Sequence, residues 1–331
     1  MVLQEPLLLR PSPKAKIWGG DALAGCMGID LGSDGPIGEV WTLADREEGS
    51  NEVASGSFAG RRLRGLMLSE RSALLGTSKV SPEGTFPLLV KLIDADRDLS
   101  VQVHPDQRRA DLLGEGAEAK DEFWYILDAR EGARLYLGLK PGVDATTFAA
   151  KAHSADVVDL LQEFPVKRGD SVLVPAGTVH SIGAGITLVE VQQNSDTTYR
   201  IYDWGRKGLD GLPRECHLEK ALQSIDFEAH VPGPYRAETA LQGVNPSTVL
   251  VDTAQFSVEH LSVHAPVEHD TAGRAWAYLV LSGHGELHVD EVPGEWRMQR
   301  GETWLLPASL GRYRFHSPDG DFKVLRIEAK A

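Results

Sequence analysis

Gly169-Asp-Ser-Val-Leu-Val-Pro175-Ala-Gly177-Thr-Val-His180 reads as a turn, a strand, a second tight turn and a histidine just beyond it. The pattern returns as Gly301-Glu-Thr-Trp-Leu-Leu-Pro307-Ala-Ser309, 301 − 169 = 132 residues later, with Arg312 where the first copy has His180. A repeat of this kind predicts two β-domains of one type, the second without that histidine. Strand signals prevail elsewhere, in residues 37–43, 88–93, 99–104, 123–127, 135–139, 171–174, 187–192 and 198–202. Helical composition is confined to 106–113, to 144–164 with Pro165 as the stop, and to 214–225. The expected fold class is therefore all-β, two jelly rolls with a few short helices. A Pro- and Gly-rich stretch at 231–246 places the division near residue 235, giving domains of 1–235 and 236–331.

Two strand-like runs supply partners for His180. In 99–104 the apolar residues alternate with Ser100, Gln102 and His104, which therefore share one face. In 120–125 Lys120 and Glu122 share a face in the same way. Gln102, His104, Glu122 and His180 form an oxygen and nitrogen donor set suited to Zn²⁺ or a similar divalent cation. A closed structural zinc would use thiolates, so a mixed set with a neutral amide points to a Lewis-acidic site open to substrate. Glu122 stands beside Phe123, Trp124 and Tyr125, and a buried carboxylate needs a cation. His284-Gly-Glu286-Leu-His288 also resembles a metal triad, but Gly283 and Gly285 predict a turn at its start. His260 and His264 read as strand or loop surface residues, and His217, in the expected third helix, as a buttress of the core.

The composition is that of a globular chain: 331 residues, 42% hydrophobic and 25% charged. The net charge of −14 argues against nucleic acid or an anionic membrane as partner. The longest apolar runs, such as 86–90 and 276–281, are far short of a membrane span, and Leu7-Leu8-Leu9 is too short for a signal peptide. Cys26 and Cys216 are expected to be reduced thiols in a cytoplasmic protein.

The spacing Gly-x5-Pro-x-Gly-x2-His at 169–180 resembles the second motif of the cupin superfamily. The segments PLLVKLIDADRDLSVQVHPD (87–106), KDEFWYIL (120–127), PAGTVHSIG (175–183) and VEVQQNSDTTYRIYDWGR (189–206) are similar to type I mannose-6-phosphate isomerases of the short bacterial form. So are Lys16-Ile-Trp18-Gly-Gly20 and Ile37-Gly-Glu39-Val-Trp41. The resemblance spans most of residues 6–228. It implies two cupin-type jelly rolls, the second a degenerate cupin without metal. It further implies one Zn²⁺ per chain on Gln102, His104, Glu122 and His180, with Lys91, Ser100, Lys120, Glu190 and Arg200 lining a sugar-phosphate site. Residues 106–118 stand where longer relatives carry an extra helical domain.

The residues themselves add detail. Lys91 sits in an apolar strand, where an ammonium needs a partner or a route to solvent. Glu190, among Leu188, Val189 and Val191, is a candidate for a raised pKa and proton transfer, or for orienting a ligand or Arg200. Arg200 can grip phosphate or an oxyanion. Interconverting mannose 6-phosphate and fructose 6-phosphate requires a polarised carbonyl, a proton moved between C1 and C2 through a cis-enediol or enediolate, and an anchored phosphate. Lys120, Glu190 and Arg200 are the catalytic candidates; Lys91, Ser100 and Arg200 are the candidates for binding a small-molecule sugar phosphate. Monomer and homodimer remain open. The competing expectations are a cupin that binds sugar phosphate without turnover and an iron-dependent cupin oxygenase.

Overall fold

The computed structural model describes residues 3–32, 35–114, 116–238, 243–290 and 292–330. Four large antiparallel sheets form two jelly rolls. In the first, a six-stranded sheet runs in the order Ser171–Val174, Glu122–Ala129, Ile186–Gln193, Leu88–Ala95, Ile37–Leu43, Ser12–Gly20. It faces a five-stranded sheet ordered Leu161–Pro165, Arg134–Leu139, His180–Ile182, Val101–Val103, Tyr199–Tyr202. The second jelly roll repeats the scheme. Its inner sheet carries Thr303–Leu306, Trp276–Ser282, Phe322–Ala329, Phe256–Val263 and Ser247–Asp252, and its outer sheet has four strands. Ser171–Val174 and Thr303–Leu306, the two copies of the repeat, occupy equivalent places.

One strand crosses between the jelly rolls. Leu7–Leu9 pairs with the edge strand of the second, Leu7 opposite Leu305 and Leu9 opposite Thr303. The two six-stranded sheets pack back to back over one apolar core, in which Val90, Phe123 and Val191 meet Phe256, Leu279 and Leu325. A separate cluster, including Val101, Val103, Phe148, Val157 and Ile225, seats the helices on the outside of the five-stranded sheet.

The helices are shorter than expected. Gln107–Leu113 starts where Asp106 accepts a hydrogen bond from the Arg109 N–H. The expected helix over 144–164 breaks into Ala145–Lys151, a 3-10 turn Ala155–Leu160 and the strand Leu161–Pro165. Ser154 caps the second piece through the Asp156 N–H, and strand pairing with Arg134–Leu139 captures the rest. The third helix is only Leu218–Ser224, with His217 at its N-cap position rather than inside it. The turn expected at Gly283 and Gly285 is found at Gly283, a bend at φ 69° between Trp276–Ser282 and the next strand, and not at Gly285. His284–Val289 is a strand, and Gly285 is there because a Cβ would strike the Phe322 ring at 2.6 Å.

Candidate active site

The site lies between the two sheets of the first jelly roll. Register builds it in rows. On the five-stranded sheet His180 and Arg200 flank Gln102 on adjacent strands. On the six-stranded sheet Glu190 lies between Lys91 and Trp124, and Gln192 opposes Glu122. One turn, at Ala176 and Gly177, holds the facing rows together. Gly177, at φ 88°, donates its N–H to the His104 carbonyl at 2.7 Å, and a Cβ there would meet Asp226 at 3.0 Å. Asp121 accepts from the Ala176 N–H at 2.8 Å, tying the start of the Glu122 strand to the same turn.

The two histidines have fixed tautomers. His104 Nδ1 lies 2.8 Å from the Thr197 carbonyl oxygen, and His180 Nδ1 lies 2.9 Å from that of Thr178. A carbonyl only accepts, so each Nδ1 carries the proton and each Nε2 presents a lone pair. Burial, with the nearby Lys120 ammonium, pulls His104 down to about 3, and burial lowers His180 as well. Both rings are thus neutral at ordinary pH. His104 Nε2 stands 3.1 Å from Glu122 Oε1, and His180 Nε2 3.7 Å from Glu122 Oε2. Neither His104 Nε2 nor Glu122 Oε2 has a hydrogen-bond partner. Three acceptors converge with no proton between them, an arrangement that a divalent cation resolves. Gln102 stands beside them: its Nε2 amide donates to His180 Nε2 at 3.3 Å, while its Oε1 accepts from Ser100 Oγ at 3.1 Å.

Around this cluster the lumen holds a buried charge network. Lys91 Nζ donates to Glu190 Oε1 at 2.8 Å and to Gln192 Oε1 at 2.6 Å, while Trp124 Nε1 donates to Glu190 Oε2 at 3.0 Å. Burial alone would lower the Lys91 ammonium, but Glu190 and Glu39 outweigh it and hold it well above its usual value. Burial, then the charge of Glu122, raises Glu190. Lys120 Nζ lies 3.5 Å from Glu122 Oε1 and 3.2 Å from Thr198 Oγ1, and burial lowers it. Arg200 donates from Nη1 to the Glu215 carbonyl at 2.8 Å, whereas its buried Nε has no partner.

A cavity of about 240 Å³ brings together Lys91, Ser100, Gln102, Lys120, Glu122, Glu190 and Arg200. His104 and His180 sit just behind that surface. The same cavity is also lined by residues to which sequence reasoning gave no role, among them Glu39, Trp18 and Arg214. Glu39 carried the signal that marked Lys91 and Glu190, a charge inside an apolar strand. Burial would raise its carboxyl, but Lys91, Lys16 and the Trp41 N–H hold it down at about 2. Arg214, paired with Asp203 at 3.1 Å, lies in an irregular segment that offers no periodicity to read. His217, expected to buttress the core, holds the Arg200 strand: its Nδ1 accepts from the Arg200 backbone N–H at 3.2 Å. His260 is a half-buried strand residue, and His264 is exposed with Nδ1 against the Gly320 carbonyl.

A double jelly roll with buried acids, bases and a metal-competent cluster inside one barrel defines an enzyme of the cupin fold. Comparison with known proteins narrows the class. The sequence model of the phosphomannose isomerase type I catalytic domain matches residues 7–134. The mannose-6-phosphate isomerase of Streptococcus mutans is 36% identical over 326 residues, 98% of each chain. The crystal structure of the mannose 6-phosphate isomerase from Bacillus subtilis superposes with a TM-score of 0.88 at 31% identity, covering 98% of this chain and 99% of that one. A mannose 6-phosphate isomerase solved bound with zinc and yttrium shares the fold, with a TM-score of 0.75 at 17% identity, covering 98% and 100%. The chain belongs to the mannose-6-phosphate isomerase family.

Proposed function

We propose that this chain interconverts mannose 6-phosphate and fructose 6-phosphate through a cis-enediol or enediolate, with one Zn²⁺ held by Gln102, His104, Glu122 and His180. The observation that carries this is the set of converging lone pairs on His104, His180 and Glu122, two of whose atoms are buried without a partner. That a protein of the same fold binds zinc supports the choice of ion. The cation supplies a Lewis acid for the sugar carbonyl.

The chain's own groups supply the rest. Lys120, its ammonium lowered by burial, and Glu190, its carboxyl raised by burial, both stand nearer neutrality than in water and are the candidates to move the proton between C1 and C2. Arg200 offers an unsatisfied N–H for the phosphate or for oxyanion charge. Lys91 contributes positive charge while fixing Glu190 in place. Ser100 reaches substrate from the position in which it now orients Gln102. The catalytic unit is residues 1–235, and 236–331 is a cupin without metal, with Leu7–Leu9 crossing to its sheet. The partner is a small sugar phosphate, the oligomeric state a monomer or homodimer, and the place of action the cytoplasm. Among the described residues no helix is long and apolar enough to cross a membrane.

The test pairs elemental analysis with a coupled assay for fructose 6-phosphate. Purified protein is expected to carry one zinc per chain, and His180→Ala to lose metal and turnover together. Full turnover by metal-stripped protein would overturn the proposal.

A further inference from the structure

A second cavity, of about 280 Å³, opens where the two jelly rolls meet, on the opposite side of the first jelly roll's six-stranded sheet from the catalytic lumen. Both jelly rolls wall it. Tyr125 and Asp128 come from the strand Glu122–Ala129, and Arg168 from the turn before Ser171–Val174. His260, Arg300 and Lys323 come from the second jelly roll. In a chain of net charge −14, this cavity gathers two guanidiniums and an ammonium against one carboxylate, Asp128.

Those three cations are also unpaired. Other basic residues nearby have acidic partners, as in Arg130–Asp96 and Arg236–Asp170, each at 2.7 Å. Among the described residues, Arg168, Arg300 and Lys323 have no carboxylate within ion-pair distance. All three are exposed at the cavity wall and come from separate segments, so an anion seated there would meet positive charge from both jelly rolls. The half-buried rings of Tyr125 and His260, 6.1 Å apart, put an O–H and an imidazole in the wall beside them. Guanidinium forks with an ammonium and a phenol make a donor set for a tetrahedral dianion.

We infer that this junction binds a phosphate group, either inorganic phosphate or a small phosphate monoester, and so ties the second jelly roll to the first. Ligand held by residues of both halves stabilises their packing by mass action. The site is separate from the isomerase site and stands whether or not the zinc assignment holds.

Cys26, in the cavity wall, reports on occupancy. Burial pushes its thiol up to about 11, with Asp94 and Asp128 adding to that and Arg300 opposing it. An anion on Arg300 cancels that opposition and covers the sulfur. Alkylation by iodoacetamide, followed by peptide mass spectrometry, is measured with inorganic phosphate or glycerol phosphate present. Cys216, exposed near Arg200, is the internal control for anion in the catalytic lumen. At twice the dissociation constant, Cys26 alkylation is expected to slow about threefold, and Arg300→Glu/Lys323→Glu is expected to abolish the protection. The single variants Arg300→Gln and Lys323→Gln are expected to weaken it if the double variant does not fold. Stronger protection by glycerol phosphate identifies a monoester as ligand, and equal protection identifies free phosphate. No protection of Cys26 by either probe, or protection undiminished in every variant, would overturn the inference.

Discussion

Replacing Lys91 with methionine keeps the length of the side chain and deletes its charge. Lys91 and Glu190 are 6% and 4% exposed, in the middle of a six-stranded sheet. Glu190 keeps the Trp124 N–H at 3.0 Å but loses its cation at 2.8 Å. Burial and Glu122 already push this carboxyl upward, so without Lys91 it takes a proton. That proton sets the ceiling on the damage. Holding neutral at pH 7 a carboxyl whose unfolded pKa is about 4.3 costs about 3.7 kcal/mol, at 1.36 kcal/mol per unit. This falls within the 3–5 kcal/mol typical of breaking a buried pair, about 3 kcal/mol being the expected loss. The sign follows from proton counting. The folded variant holds a proton that its unfolded chain releases, so its stability declines as pH rises above the unfolded value. The ceiling therefore shrinks to about 1.6 kcal/mol at pH 5.5. Lys91→Met/Glu190→Gln removes the paired carboxylate, leaves Glu39 to Lys16 and the Trp41 N–H, and still accepts from Trp124. It should regain most of the stability and lose the added pH slope, a coupling of about 2–3 kcal/mol. Urea unfolding at pH 5.5 and 7 measures all of this. A pH-independent deficit, or a double variant no more stable than Lys91→Met, would refute the pairing. In the isomerase assay both variants should remain impaired, because a merely structural pair would recover turnover along with stability.

Arg200→Lys keeps a positive charge but loses the planar fork and the bond to the Glu215 carbonyl. A charge-assisted hydrogen bond of about 1.5–3 kcal/mol corresponds to about a ten- to hundredfold fall in kcat/KM, read in the coupled assay. Trp276→Ala empties the centre of the second jelly roll and should cost about 3–5 kcal/mol in urea unfolding while zinc content and kcat stay unchanged. Leu7→Ala, at a fully buried position of the crossing strand, should cost about 2–5 kcal/mol, and a smaller loss would show that the crossing contributes little to the union of the two sheets.

Much of the site could be read because strand geometry is short-ranged. Alternation fixes a face, so Ser100 with Gln102, and Lys120 with Glu122, were legible as neighbours from two-residue spacing alone. Which strands then pair is a long-range matter, and only the repeated turn-strand-proline motif gave a hold on it. Glu39 was missed although it stands in an apolar strand, because Lys91, which holds its carboxyl down, is 91 − 39 = 52 residues away in sequence and lies on the neighbouring strand, opposite Trp41. The over-long helix at 144–164 failed for the opposite reason. Its composition favours helix locally, but the edge of the five-stranded sheet offers Leu161–Pro165 a ladder of hydrogen bonds that propensity cannot foresee. The division at residue 235 put Leu7–Leu9 with the first domain, and the strand pairs with the edge of the second sheet. Three leucines record burial without saying which sheet buries them.

The register of the second jelly roll explains why the repeat kept its shape and changed its contents. Glu122 opposes Val174 and Trp276 opposes Leu306, so the indole of Trp276 stands where the first barrel has its acid. His180 is matched by Arg312, and Gln102, opposite His180, by Asp270, opposite Arg312. The buried pair is kept with its charges exchanged: Lys91 and Glu190 become Glu259 and Arg326. Arg326 donates to Glu259 at 3.2 Å and lies 3.6 Å over the Trp276 ring. Tyr278 and Tyr313, joined through their hydroxyls, close the space beside it. A lumen built around converging lone pairs needs a cation, and this one holds a guanidinium on a fixed strand position, stacked on an aromatic face. The exchange of sign follows from that. Once the central acceptor at the Glu122 position is replaced by an indole, the positive partner is best placed over the ring, and the acid moves to the neighbouring strand. The second barrel thus pairs the charge at its centre with its own side chains, although Arg326 Nε and His269 Nε2 lack partners there, whereas the first leaves His104 Nε2 and Glu122 Oε2 as facing acceptors with none.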